Sequence, residues 1–217
     1  IGATDSTVVV RLGVQASIVL PYDYLVLCPG CSYPLTKEKN VSRSFRADWL
    51  LQEAAQVAKA KSIIIVGAGP TGIELVGNLT SKYPDKQVTL VTSRPTILHR
   101  SPPKAREYVI SLLQKAKVRV LLDQRVVDIQ ATGPDDTAQG DTKFRVTTDK
   151  VMVLESDRLY ICTGPVPNTA FMRQNFPAVV SDLGFLRVNK YLQLAGYPNI
   201  FACGDVADLP EEKLAER

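Results

Sequence analysis

Three glycines, Gly67, Gly69 and Gly72, stand at G-x-G-x-x-G spacing directly behind Ile63-Ile64-Ile65-Val66 and ahead of an apolar segment that opens Ile73-Glu74-Leu75. That order suits the grip of a dinucleotide pyrophosphate. Gly67 permits a tight turn off a strand, Gly69 lets the backbone come close to the phosphates, and Gly72 lets the following helix lie against the sheet. Ala68, Pro70 and Thr71 complete the turn; Pro70 suits a first helical turn, where its missing N–H would have had no partner. The phosphates would meet the helix N-terminus, whose N–H groups and dipole are worth about 0.3–1 kcal/mol per charge.

Other residues could add to that chemistry. The next strand ends Val91-Thr92-Ser93-Arg94, where an NAD-selective site usually carries an acid for the ribose 2′-hydroxyl. Ser93 and Arg94 could instead bond a 2′-phosphate, which predicts NADPH used at least as well as NADH; they are equally ordinary for an exposed strand end. Cys28-Pro29-Gly30-Cys31 has the C-x-x-C spacing of thiol–disulfide exchange, although Cys28 closes a strand and Ser32 to Lys39 shows no helical period. His99 is the one histidine, too few for a His-based metal cluster or a Ser-His-Asp triad. It reads as a loop or surface residue, and no metal site and no catalytic acid or base is assigned.

The totals narrow the classes. The 217 residues are 45% apolar and 22% charged with a net charge of +4, enough chain for one large or two small domains. Lys and Arg are scattered, so nucleic acid is not an expected partner. The four cysteines form no disulfide framework, which fits a reducing compartment. No apolar run reaches the length of a membrane span and no signal-peptide layout opens the chain, so a soluble protein is expected.

Periodicity supplies the elements that must position these residues. Thr7 to Leu12 and Ala16 to Leu20 predict an antiparallel pair, and Tyr22 to Gly30 a strand stopped by Pro-Gly. Ser44 to Ala60 predicts an amphipathic helix with Phe45, Trp49, Leu50, Ala54, Val57 and Ala58 on its apolar face. A helix over 70–81, a strand over 87–92, a helix over 104–115 with Tyr108, Ile110, Leu112 and Leu113 apolar, and a strand over 118–122 complete a β-α-β-α-β order, hence a parallel sheet. Val126 to Gln130 and Lys143 to Thr147 predict a β-excursion with a polar tip. Short strands are expected at 187–188 and 192–194, a buried strand over 199–205 and a helix from Pro210. Asp23-Tyr24-Leu25-Val26-Leu27-Cys28-Pro29-Gly30 returns as Asp157-Arg158-Leu159-Tyr160-Ile161-Cys162-Thr163-Gly164, as though the chain crosses twice between two halves.

Four landmarks together resemble the flavin-dependent pyridine nucleotide oxidoreductases of glutathione-reductase-like fold: Tyr22 to Gly30, Val66 to Glu74, Leu159 to Asn168, and Pro198 to Asp205. Gly69 to Leu75, Tyr83-Pro84 and Gly204 to Asp208 look closest to the apoptosis-inducing-factor-2-like (ferroptosis suppressor) and type II NADH dehydrogenase branch. The resemblance implies an α/β fold in which a Rossmann-like NAD(P)-binding domain, residues 45–158, is inserted between two partial segments of an FAD-binding domain, 1–44 and 159–217. It implies hydride passing from NAD(P)H to FAD and electrons on to a quinone-like acceptor. Gly67, Gly69 and Gly72 would hold the nicotinamide nucleotide's pyrophosphate, and Glu74, otherwise a carboxylate favoured near a helix start, would lie near its ribose or carboxamide. Gly204 and Asp205 would hold the flavin, and Gly30 and Gly164 would pass near both cofactors. It further implies the cytoplasmic side, with a membrane-associated or mitochondrial location and membrane contact through regions outside this stretch.

Such proteins open with another glycine fingerprint and close with an interface domain, neither of which stands in this sequence. An internal portion of a longer flavoprotein is therefore expected, and turnover by the portion alone is not. Two other readings stay open: a non-catalytic NAD(P)-binding module, and a thiol–disulfide reductase using Cys28 and Cys31.

Overall fold

A computed structural model describes residues 2–12, 16–34, 42–132 and 143–209. Along the chain run β1 (Gly2–Ala3), β2 (Thr7–Leu12), β3 (Ala16–Pro21), β4 (Leu25–Leu27), β5 (Cys31–Ser32), α1 (Arg43–Lys59), β6 (Ser62–Val66), α2 (Pro70–Lys82), β7 (Gln87–Val91), α3 (Pro103–Lys115), β8 (Arg119–Leu121), β9 (Val126–Thr132), β10 (Lys143–Thr148), β11 (Val153–Ser156), β12 (Arg158–Ile161), β13 (Val166–Pro167) and β14 (Ile200–Ala202). The chain divides into two compact units, residues 34–164 and residues 1–33 with 165–217.

The 34–164 unit is built on β6. Its four apolar residues are all buried, as a central parallel strand requires, because both faces of such a sheet are covered. Side chains alternate across the sheet, and each face has its own core. Ile63 and Ile65 pack with Val76 and Leu79 of α2 and Leu113 of α3. Ile64 and Val66 pack with Val146 of β10 and Leu154 of β11. The parallel sheet has the order β12-β6-β7-β8, and an antiparallel sheet β11-β10-β9 lies over its second face. The predicted excursion is therefore three-stranded, β11 being the addition; its tip at 133–142 lies outside the described residues.

β12 pairs with β6, Arg158 opposite Ile63 and Ile161 opposite Val66. The second crossing strand thus belongs to this unit, whose contacts run to Gly164, where 158 was the expected boundary.

α1 runs over the predicted residues but turns a different face inward. Phe45 and Leu50 are 48% and 54% exposed, and Ala54 and Ala58 are exposed as well. Of the expected face Trp49 and Val57 are covered, and Arg46, Glu53, Gln56 and Ala60 join them, in a three- and four-residue repeat that is half polar. Glu53 makes that face possible. Its carboxylate takes Arg158 Nη2 at 2.7 and 2.5 Å and also accepts the Tyr160 hydroxyl. Lys86 Nζ donates to the Ala58 carbonyl at 2.9 Å, a cation at the helix's negative end. In α3, Leu113 is buried while Tyr108, Ile110 and Leu112 are exposed.

In the other unit β1, β2 and β3 form an antiparallel sheet. β4 and β14 pair in parallel, Leu25 opposite Ile200 and Leu27 opposite Ala202. Leu27, Ile200, Ala202 and Val206 share a core with Met172, Leu186 and Leu194. The strands expected at 187–188 and 192–194 reduce to single bridges, among them Val188 to Leu194; the turn between them is closed by Asn189, whose carbonyl accepts the Leu192 amide at 2.9 Å and whose Oδ1 accepts the Tyr191 and Gln193 amides at 2.9 and 3.1 Å. The helix expected from Pro210 lies outside the described residues.

Candidate functional site

The glycine turn leaves the carboxyl end of β6, where open parallel sheets bind their ligands. Its three glycines have separate jobs. Gly67 sits at φ +109°, and a Cβ there would stand 2.3 Å from the Cys162 carbonyl oxygen. At Gly72 a Cβ would stand 1.9 Å from the carbonyl oxygen of Gly67. Both positions are therefore closed to side chains by backbone. Gly69 differs: a Cβ built on it meets nothing within 4 Å. Gly67 and Gly72 shape the turn, and Gly69 presents it.

Gly69 is also the N-cap of α2, with no side-chain cap, Pro70 in the first turn and no acid there. First-turn N–H groups left uncapped form an anion site, and no acidic side chain in that turn opposes a phosphate. Pro70 and Thr71 are exposed. Ala68 is buried in the core, so it offers only main chain; its carbonyl accepts the Leu98 amide at 2.8 Å. Cys162 is the residue that the sequence did not single out. Its amide donates to the Val66 carbonyl at 2.7 Å, and its own carbonyl forms the floor under Gly67. Burial raises its thiol pKa.

Glu74 is exposed and lies on the side of α2 opposite Gly72, Val76 and Leu79, so its carboxylate takes no part in the packing against the sheet. Ser93 and Arg94 are exposed at the end of β7. The Arg94 amide donates to Thr92 Oγ1 at 3.3 Å, and its carbonyl accepts the Asp123 amide at 3.1 Å, which fixes the backbone and leaves the guanidinium outside. His99 is exposed, as expected. A cavity of 190 Å³ lined by Ser62, Gln87, Arg119 and Ser156 lies at the opposite, amino end of the sheet and has no part in the glycine turn.

In the other unit the Gly204–Val206 turn follows β14. Asp205 Oδ2 accepts the Tyr33 hydroxyl at 3.0 Å, and the Asp205 carbonyl accepts the Cys31 thiol at 3.4 Å. Partial burial and that bond to Asp205 raise the Tyr33 pKa. Gly30 and Gly204, at φ +63° and +75°, are open around the Cβ position. Gly164, at φ +103° in the nucleotide-turn unit, is open likewise. Asn168 holds the Pro29-Gly30 crossing: its Nδ2 donates to the Pro29 carbonyl at 2.9 Å, its amide to the Gly30 carbonyl at 3.0 Å, and its Oδ1 accepts Ser32 Oγ at 2.6 Å. The sulfur beside Cys28 is that of Cys203, at 3.1 Å. Within the C-x-x-C pair, Cys28 thus meets Cys203 and Cys31 donates to the Asp205 carbonyl. Among the described residues no cluster of His, Cys, Asp and Glu could hold a metal ion, and no helix is long and apolar enough to cross a membrane.

Residues 3–216 match the model of the pyridine nucleotide-disulphide oxidoreductase family. Ferroptosis suppressor protein 1 of Homo sapiens is 30% identical over 204 residues, covering 93% of this chain and 54% of its own. Apoptosis-inducing factor homolog B of Dictyostelium discoideum is 31% identical over 215 residues, covering 90% and 54%. The chain spans about half the length of these relatives. Among solved structures, the water-forming NADH oxidase of Lactobacillus brevis, bound to NADH, superposes with a TM-score of 0.69 at 23% identity, covering 94% of this chain and 44% of its own. An FAD-dependent pyridine nucleotide-disulphide oxidoreductase from Desulfovibrio vulgaris gives 0.63 at 25% identity, covering 94% and 51%. With a strand–glycine turn–helix unit at its centre and a family match over nearly its whole length, the chain belongs to the pyridine nucleotide-disulphide oxidoreductases.

Proposed function

We propose that this chain is the nucleotide-handling core of a flavin-dependent NAD(P)H oxidoreductase that delivers electrons to a small quinone-like acceptor. Residues 34–164 are the NAD(P)-binding domain, and the 1–33 and 165–217 segments belong to the FAD-binding domain. The observation that carries the reading is the division of labour among the glycines, two closed by backbone and Gly69 open at an uncapped helix start.

The backbone of Gly67 to Gly72 cradles the pyrophosphate of NAD(P)H, with Ala68 contributing main chain only. Ser93 and Arg94 take the adenosine ribose end, and Glu74 the nicotinamide ribose or carboxamide. Asp205 accepts from a ribityl hydroxyl of FAD while Tyr33 orients its carboxylate. Gly204, Gly30 and Gly164 allow close approach. When bound, the nicotinamide and flavin supply the hydride and electron chemistry themselves. The residues of the chain bind and orient, so none is assigned as general acid or base. The likeness to the ferroptosis suppressor branch supports the quinone-like acceptor.

The test is a bound yellow chromophore. Protein purified with its flanking sequence is expected to carry FAD absorbance that NAD(P)H bleaches without oxygen and a quinone restores. NAD(P)H binding with no flavin and no bleaching would make the chain a non-catalytic nucleotide module instead.

A further inference from the structure

Cys28 and Cys203 are 175 positions apart in sequence, yet their sulfurs stand 3.1 Å apart. The fold brings them together through β4 and β14. Leu27 and Ala202 are the last register partners of that parallel pair, and the Cys203 amide donates to the Leu27 carbonyl at 3.1 Å. The two chains therefore leave the ladder side by side, each with a cysteine as its next residue. A disulfide needs its sulfurs at about 2.05 Å, so closure asks for a movement of roughly 1 Å. Both thiols are reduced in the structure. Cys28 is exposed and Cys203 half-buried. The bond to Cys28, then burial, raises the Cys203 pKa, so Cys203 keeps its proton and the exposed Cys28 sulfur is the one an oxidant reaches.

We infer that Cys28 and Cys203 are a reversible redox pair that closes to a disulfide on meeting a hydroperoxide and reopens with thiol reductants. The Cys28 thiol gives its proton to solvent and the thiolate attacks a peroxide oxygen; the O–O bond breaks, leaving a Cys28 sulfenic acid and, with hydrogen peroxide, a hydroxide that takes up that proton to become one water. The Cys203 sulfur then displaces the hydroxyl, which leaves as a second water with the Cys203 proton. Two thiols and one hydrogen peroxide give one disulfide and two waters, following the general course of thiol oxidation. Reduction returns both thiols by exchange. The closed bond would tie the end of β4 to the turn that begins at Gly204, one residue past Cys203. The inference rests on the sulfur geometry alone and does not require a bound flavin.

The test treats the chain with hydrogen peroxide, blocks remaining thiols with iodoacetamide and maps tryptic peptides. Cys28 and Cys31 share the peptide 12–37, and Cys203 lies in 191–213. The expected product links these two peptides, with alkylated Cys31, and dithiothreitol separates them. The link should persist in Cys31→Ser and vanish in Cys28→Ser and Cys203→Ser, each checked for folding by circular dichroism. Should a variant unfold, fragmentation of the linked parent peptides still assigns the bond. A Cys28–Cys31 bond within 12–37, or four alkylated cysteines after peroxide, would overturn the inference.

Discussion

The carbonyl oxygen of Gly67 and the α-carbon of Gly72 approach so closely that a Cβ on Gly72 would stand 1.9 Å from that oxygen. The contact locks the start of α2 to the end of β6 and defines the turn. Gly67→Ala adds a left-handed backbone conformation to a clash with the Cys162 carbonyl, and Gly72→Ala a clash alone. Each should cost about 3 kcal/mol or more, read as a lowered urea midpoint.

Glu53 docks α1 with polar bonds. Glu53→Ala leaves Arg158, whose Nε is buried without a partner, and Tyr160 without their acceptor. A loss of about 2–3 kcal/mol is expected, whereas Leu51→Ala, at a position 71% exposed, should change stability by less than about 0.5 kcal/mol. Urea unfolding of both variants checks the contrast.

Asp157 joins β12 to the start of β6. Its Oδ2 accepts the Lys61 and Ser62 amides at 2.7 and 2.9 Å and Ser62 Oγ at 3.2 Å. Burial pushes its pKa up, but these bonds and the charge of Lys143 outweigh it and hold the carboxyl below the ordinary 3.8. A depressed carboxyl pKa stabilises the fold above the unfolded value, and the contribution is lost as pH falls through the folded one. Asp157→Asn should therefore cost about 1 kcal/mol at neutral pH, given its partial solvent exposure. The deficit should shrink below about pH 4, as acid-unfolding curves of parent and variant would show.

Arg94 offers a guanidinium outside β7. Arg94→Ala should raise the Kd for NADPH about tenfold, near 1.4 kcal/mol, and leave that for NADH within about twofold. Titration of both nucleotides against both proteins decides it; a parent that prefers NADH tenfold or more removes the 2′-phosphate role.

The nucleotide unit was legible because its signals are local. Four β-branched residues, three spaced glycines and a helix follow one another without a break, and α2, β7, α3 and β8 fall at the predicted places within a residue or two. The face of α1 was not legible, because Glu53 and Arg46 turn inward where apolar periodicity points to Phe45 and Leu50. β11 escaped because Val153-Leu154-Glu155-Ser156 is short and its residue types do not follow its burial, Val153 being exposed and Ser156 buried, so no apolar–polar alternation marks it. Tyr33 with Asp205, Asn168 with Pro29 and Cys28 with Cys203 join positions more than 130 residues apart, and no spacing rule relates them. The C-x-x-C spacing pointed to Cys31, while the parallel pairing of β4 and β14 puts Cys203 beside Cys28.

Gly69→Ala is the sharpest measurement of the central claim, since its φ of −77° suits any residue and its Cβ meets no neighbour. The variant should stay folded, losing at most about 1 kcal/mol from the altered N-cap. Its NAD(P)H affinity should fall tenfold or more, because the methyl occupies the approach to the pyrophosphate. A folded Gly69→Ala protein that binds NADH and NADPH as tightly as the parent would contradict a nucleotide seated on this turn.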